Sequence, residues 1–213
     1  MATDIPIRCA CGKFEAVAEN VSPNGINFGY CYCDDCQLFE HHLGKADEVL
    51  DANGGTAIFQ MSPVKFRFVA GQEHLASLQL RRGGLVRWYT SCCNTPVANT
   101  MGKPTLPFVG VITACVDSAM SRDELDAAVG PVRFRVHGRY AKGDVPGAHP
   151  KAPLSLVGRF LRLMVGWRLA GGAKQSPFFD PATARPSVKP IVLTAEELSR
   201  AVDQQARWPS PQD

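Results

Sequence analysis

Up to about His137, short apolar or alternating runs are broken by Gly, Pro and Asn, the pattern of β-strands joined by turns. Runs that fit strands are Phe14–Ala18, Ile26–Tyr30, Ala57–Gln60, Lys65–Val69, Leu75–Leu80, Leu85–Tyr89, Val97–Thr100, Phe108–Ala114 and Val132–His137. In Lys65–Val69 and Val132–His137 charge alternates with apolar residues, as on a sheet with one wet face. One helix is expected inside this region. Ser121-Arg122-Asp123-Glu124 forms a capping box ahead of Leu125, Ala128 and Val129, and Gly130-Pro131 ends it.

After Gly138 the character changes. Gly143 to Pro150 is rich in turn formers and reads as a linker. Leu154 to Leu169 is apolar and punctuated by Arg159, Arg162 and Arg168, which predicts a helix weakened by Gly158 and Gly166. Such a helix packs on its own sheet, or offers a face to a partner or a membrane surface. Ser176 to Pro190 returns to loop composition. A second capping box, Thr194-Ala195-Glu196-Glu197, opens a last helix running to about Arg207. The expected protein is mainly β with a short helix. Residues 1–142 form the β domain, and 143–213 form a linker and helical C-terminal extension packing on it.

At 213 residues the chain can bury a core without metals or disulfides. Its cysteines therefore call for another explanation. Seven of the eight fall in three clusters: Cys9 and Cys11; Cys31, Cys33 and Cys36; Cys92 and Cys93. Close thiolates repel one another unless a cation neutralises them, and zinc bound by sulfur is the default for such spacing. The central three, beside Asp34 and Asp35, form the strongest signal. They leave one coordination position for a fourth ligand. If His41 or His42 fills it the site is closed and structural; if both are surface histidines, water or a substrate thiolate occupies it. Cys9 and Cys11 precede Gly12, which suits a tight turn. Their remaining clustered partners are Cys92 and Cys93, and a shared ion would tie the first strands to the middle of the sheet. Cys115, in an apolar run, reads as core.

The net charge of +3 is spread along the chain without a dense Lys/Arg block, so nucleic-acid binding is not indicated. No stretch approaches the ~18 apolar residues of a membrane span. Met1 to Pro6 shows no basic stretch leading into an apolar run, so no secretory signal is expected. The expected compartment is a reducing cytoplasm, where thiols bind metal more readily than they pair. The even cysteine count leaves a disulfide framework open.

Together these residues resemble the glutathione-dependent formaldehyde-activating enzyme family, which shares its domain with centromere protein V and has a zinc-binding β-tent fold. The resemblance runs from about Ile7 to Tyr140. It rests on Cys9-x-Cys11-Gly12, on Cys31-x-Cys33-x-x-Cys36, on Gly71-Gln72-Glu73-His74-Leu75, and on an aromatic strand leading into Cys93-Asn94-Thr95-Pro96. It implies a catalytic zinc on Cys31, Cys33 and Cys36, and a structural zinc on Cys9, Cys11 and Cys93. The family expects Cys-x-x-Cys-Gly-Thr in the later motif. Here Thr90 stands at the first cysteine, Cys92 is a shifted substitute and Asn94 replaces the glycine. Three sulfurs, four with Cys92, or no metal are all open at that site.

Two functions follow. The first, implied by the resemblance, is a zinc-dependent carbon–sulfur lyase-type enzyme. It would join a glutathione-like thiol to a small aldehyde such as formaldehyde, as S-(hydroxymethyl)glutathione synthase does. Zinc would hold the thiol as thiolate or polarise the aldehyde oxygen. The second is a non-catalytic, zinc-stabilised binding module. Either could be a homo-oligomer.

Overall fold

The computed structural model describes residues 2–208, and its strands form two sheets. The smaller is antiparallel and joins β1 (Thr3–Arg8), β2 (Glu15–Val21) and β5 (Phe66–Ala70). The larger has eight strands: β3 (Asn27–Cys31), β4 (Thr56–Met61), β6 (Leu75–Gln79), β7 (Val86–Thr90), β8 (Pro96–Thr100), β9 (Val109–Ile112), β10 (Phe134–Val136) and β11 (Ile191–Val192). Their order is β10-β3-β4-β9-β8-β7-β6-β11, with parallel pairing only at the two outer ends. The protein is mainly β, and every expected strand overlaps an observed one. β1 and the two-residue β11 are additions.

The helices are α1 (Asp34–Leu43), α2 (Ala46–Val49), α3 (Arg122–Val129), α4 (Leu154–Leu169) and α5 (Ala195–Arg207). Both capping boxes form: Ser121 accepts from the Glu124 N–H and Thr194 from the Glu197 N–H, and each glutamate returns the bond. α1 was not expected. It begins on two aspartates and stops at Gly44, whose left-handed backbone donates to the Glu40 and His41 carbonyls.

Strand alternation splits the interior into two cores. On β4, Phe59 and Met61 face the small sheet and pack with Ile5, Ile7, Phe14 and Trp88. Ile58 points the other way, into a layer with Leu38, Phe39 and Leu43 of α1. α5 secures α1 from outside. Gln205 donates to Asp34 Oδ1 at 3.0 Å and to Gln37 Oε1 at 3.2 Å, and just beyond α5 Trp208 Nε1 donates to Asp47 Oδ1 of α2 at 2.6 Å. α4 packs on the protein's own body through Met164 and Trp167, and Arg159 donates to Asn27 Oδ1 at 2.6 Å. Its outer face is apolar too: Leu154, Leu161, Val165 and Leu169 are exposed. No helix among the described residues is long and apolar enough to cross a membrane.

The Gly71–His74 segment has a structural reason. Gly71 has φ +69°, and a Cβ there would lie 1.8 Å from the Lys13 carbonyl oxygen, just after the Cys9–Cys11 turn. Three residues on, the His74 carbonyl accepts from the Ser91 N–H at 2.8 Å, beside Cys92. The segment thus clamps both cysteine turns. Gly71→Ala is expected to cost about 3 kcal/mol or more, because neither the backbone angle nor the carbonyl can give way cheaply. Chemical denaturation checks this; a loss under ~1 kcal/mol would mean the clamp yields.

Candidate metal centres

Cys9 and Cys11 sit on the turn between β1 and β2, closed by the Gly12 N–H donating to the Cys9 carbonyl at 2.9 Å. Cys92 and Cys93 sit on the β7–β8 turn, where the Asn94 N–H donates to the Thr90 carbonyl at 2.8 Å. Asn94 adopts φ +55°, the left-handed conformation that asparagine tolerates better than most residues. The Ala10 N–H donates to Thr95 Oγ1 at 3.0 Å and locks the two turns together.

The four sulfurs converge. Cys9–Cys11 measures 3.6 Å, Cys9–Cys92 3.8 Å, Cys11–Cys92 3.3 Å and Cys92–Cys93 3.8 Å. A tetrahedral zinc with bonds near 2.3 Å needs sulfurs about 3.8 Å apart, so this donor set fits. The Thr90 hydroxyl contacts Cys93 Sγ at 3.4 Å. Burial opposes ionisation of Cys93, but hydrogen bonds from Thr90 and Thr95 lower its thiol to about 5. Burial and the contact with Cys11 raise Cys92 to about 12. Four sulfurs would fill a tetrahedral ion's coordination and leave no open position. A polar cavity of about 480 Å³ beside it is lined by Arg8, Lys45, Glu48 and Asp117.

The second set is Cys31, Cys33 and Cys36, whose sulfurs all lie within 4.8 Å of one another. Cys31 ends β3, Cys33 is the N-cap of α1, and Cys36 lies in its first turn. The Cys36 and Gln37 N–H groups donate to the Cys33 carbonyl at 3.0 and 3.2 Å, winding the motif onto a helix start. The positive end of the helix favours a thiolate at Cys36, whereas the contacts with Cys33 and Cys36 raise the Cys31 thiol well above its ordinary range. Among the described residues no further Cys, His, Asp or Glu joins the set: the group holds three sulfurs and neither histidine. His41 is buried rather than on the surface, edge-on to Trp208 at 5.9 Å, and its Nε2 has no partner. Burial lowers its pKa, helped by the charge of Lys142. His42 faces Glu197 and Arg200 of α5.

Beneath the three sulfurs lies Arg87, only 2% exposed. Its Nη1 reaches Cys36 Sγ at 3.8 Å and donates to Asn99 Oδ1 at 3.2 Å, and its guanidinium sits 5.3 Å from the centre of the Phe39 ring. Hydrogen bonds from Cys31 and Cys33, then the Arg87 charge, hold the Cys36 thiol well below its ordinary range despite burial. Glu40 is fully buried with both oxygens unpartnered among the described residues, and burial raises its carboxyl well above the usual range. Arg87, Asn99 and Glu40 escaped the sequence reading. Arg87 lies between buried Val86 and Trp88 on a strand, where alternation alone would put it in water. Glu40 belongs to α1; Gly44 and the two aspartates of its first turn were the available signals.

Above the sulfurs is a cavity of about 300 Å³, lined by the three cysteines, by Ile58, Gln60, Leu85, Asn99, Phe108, Phe134, Val136 and His137, and by Ala152, Leu156, Val157 and Phe160. α4 forms its roof. Cys115, the eighth cysteine, is wholly buried and donates to the Ile112 carbonyl at 3.0 Å, a core residue.

Fold and sites together define a mainly β protein with two cysteine clusters able to hold metal, one closed and one opening on a cavity. Residues 1–189 match the family described as DUF6151, a family of unknown function, and the chain belongs to it. No curated protein matches it. A crystal structure of a Rhodobacter sphaeroides protein is similar at 18% identity, covering 56% of this chain and 94% of that one, with a TM-score of 0.40.

Proposed function

We propose that the protein is a zinc-dependent carbon–sulfur lyase-type enzyme that adds a thiol to a small aldehyde, as the resemblance to the formaldehyde-activating family implies. One observation carries this reading: three sulfurs within 4.8 Å of one another, without a fourth Cys, His, Asp or Glu among the described residues, face a cavity. Cys31, Cys33 and Cys36 would hold zinc, and the bound ion would supply a thiolate-binding or Lewis-acid position at its open face. Arg87 balances the charge of the sulfurs from below. The Asn99 oxygen is taken by Arg87, so its amide N–H₂ remains as a donor toward the cavity. The walls beyond the cysteines are mostly apolar. In the reaction the sulfur–carbon bond forms, the carbonyl π bond opens, and the thiol proton ends on the aldehyde oxygen. Cys9, Cys11, Cys92 and Cys93 would hold a structural zinc.

Cys33→Ser tests the assignment. It is expected to remain folded, lose one of two zinc equivalents and abolish thiohemiacetal formation above the uncatalysed rate. Metal analysis, circular dichroism and NMR of the condensation read the three effects. An unfolded variant would overturn the division into structural and catalytic sites; unchanged turnover would overturn catalysis by this cluster. The second reading, a non-catalytic zinc-stabilised module, is favoured by the exposed apolar stripe Leu154, Leu161, Val165 and Leu169 on α4. It predicts that no thiol reaches the central metal.

A further inference from the structure

The cavity over the central cysteines specifies what kind of thiol it takes. Its walls include Ile58, Phe108, Phe134, Val136, Leu156 and Phe160. Among the described residues that line it there is no Lys, Arg, Asp or Glu; beyond the cysteines only Gln60, Asn99 and His137 bring polar groups. Glutathione carries two carboxylates and an ammonium, and the lining offers none of those charges an ionic partner. Burying an unpaired charge against apolar walls is unfavourable, whereas each methylene placed there gains about 0.8 kcal/mol. At about 30 Å³ per water-sized group, the 300 Å³ space takes on the order of ten non-hydrogen atoms. That is the size of a short alkyl or aryl thiol. The contrast with the other cysteine cluster is sharp, since the cavity there is lined by Arg8, Lys45, Glu48 and Asp117.

We infer that the three-cysteine cavity binds an uncharged, apolar thiol of short alkyl or aryl type, its sulfur directed to the cluster and its body lying against the apolar walls of β4, β10 and α4. The inference rests on the metal-site reading of Cys31, Cys33 and Cys36. α4 is then more than an extension, because Leu156 and Phe160 supply the roof that makes the site apolar.

The test uses full-length protein carrying cobalt(II) in place of zinc, with ethanethiol to hexanethiol and glutathione as probes. Visible absorption reports ligand exchange at cobalt, and calorimetry reports affinity. The expected result is an absorption change with the alkyl thiols, with affinity rising about three- to fourfold per methylene until the cavity is full. Glutathione is expected to bind at least tenfold more weakly than butanethiol. Leu156→Asp should weaken butanethiol at least tenfold, while Leu161→Asp, on the exposed face of the same helix, should leave it unchanged. A flat chain-length series, or glutathione binding as tightly as butanethiol, would overturn the apolar class and leave the open metal position standing. No spectral response to any thiol would overturn both.

Discussion

Cys11→Ser is expected to lower stability by about 4 kcal/mol, close to 10 °C in Tm for a chain of this size. The side chain is exposed, so its replacement opens no cavity and buries no new polar group. A solvent-facing cysteine without a ligand role would change stability by no more than ~0.5 kcal/mol. The excess would be the contribution of a metal joining the β1–β2 turn to the β7–β8 turn, two segments 81 residues apart in sequence at the Cys11–Cys92 contact. Small peptides gain ~10–16 kcal/mol from a four-sulfur or mixed zinc site, so losing one ligand leaves ample room for a drop of this size. Calorimetric melting with metal analysis checks it. A variant that melts with the wild type and keeps both metals would remove Cys11 from the ligand set.

The other large effect is expected from Arg87→Met. With a divalent ion bound, three thiolates would sum with it to one negative charge, set in a layer that includes Phe39, Ile58 and Phe134. Arg87 is the cation in contact with it, through Cys36 Sγ at 3.8 Å. Removing one partner of a buried charge pair costs about 3–5 kcal/mol, so the central metal affinity should fall at least ~100-fold. Methionine keeps the unbranched stem and its packing on Phe39, so the fold should persist. The four-sulfur site serves as the internal control: dialysis against a chelator of moderate affinity should strip one equivalent and leave the other. Arg87→Lys should recover part of the loss, since it restores the charge without the planar fork that engages Asn99. Retention of both metals by Arg87→Met would mean that the sulfurs carry no charge needing compensation.

The sequence went far because the signals were local. Alternation along Ala57–Gln60 or Leu75–Leu80 is a property of consecutive residues, and a capping box such as Thr194–Glu197 closes within one turn. The helix over Leu154–Leu169 was visible for the same reason. α1 was hidden because the Cys31–Cys36 spacing invites a turn, while the structure places its second half on the first turn of a helix. His41 and His42 show the limit of adjacency. They follow Cys36 closely, yet the helix carries them away from the sulfurs, one against Trp208 and the other toward α5.

What the sequence by itself determined is therefore the inventory: a mainly β chain, a helical C-terminal stretch, and three cysteine clusters whose crowding calls for a cation. The grouping of Cys9 and Cys11 with Cys92 and Cys93 followed from there being no other clustered partner; tertiary structure decided how Cys92 takes part. Cys92 turns to within 3.3 Å of Cys11, because Asn94 bends the hairpin and Thr95 holds the other turn. It also decided the surroundings of the open cluster. Arg87 comes from a strand, Glu40 from a helix, and Leu156 and Phe160 from a segment beyond the linker, so no local pattern connects them. Charge compensation and an apolar roof depend on which residues meet through space, and that is fixed only when both faces of the large sheet are covered.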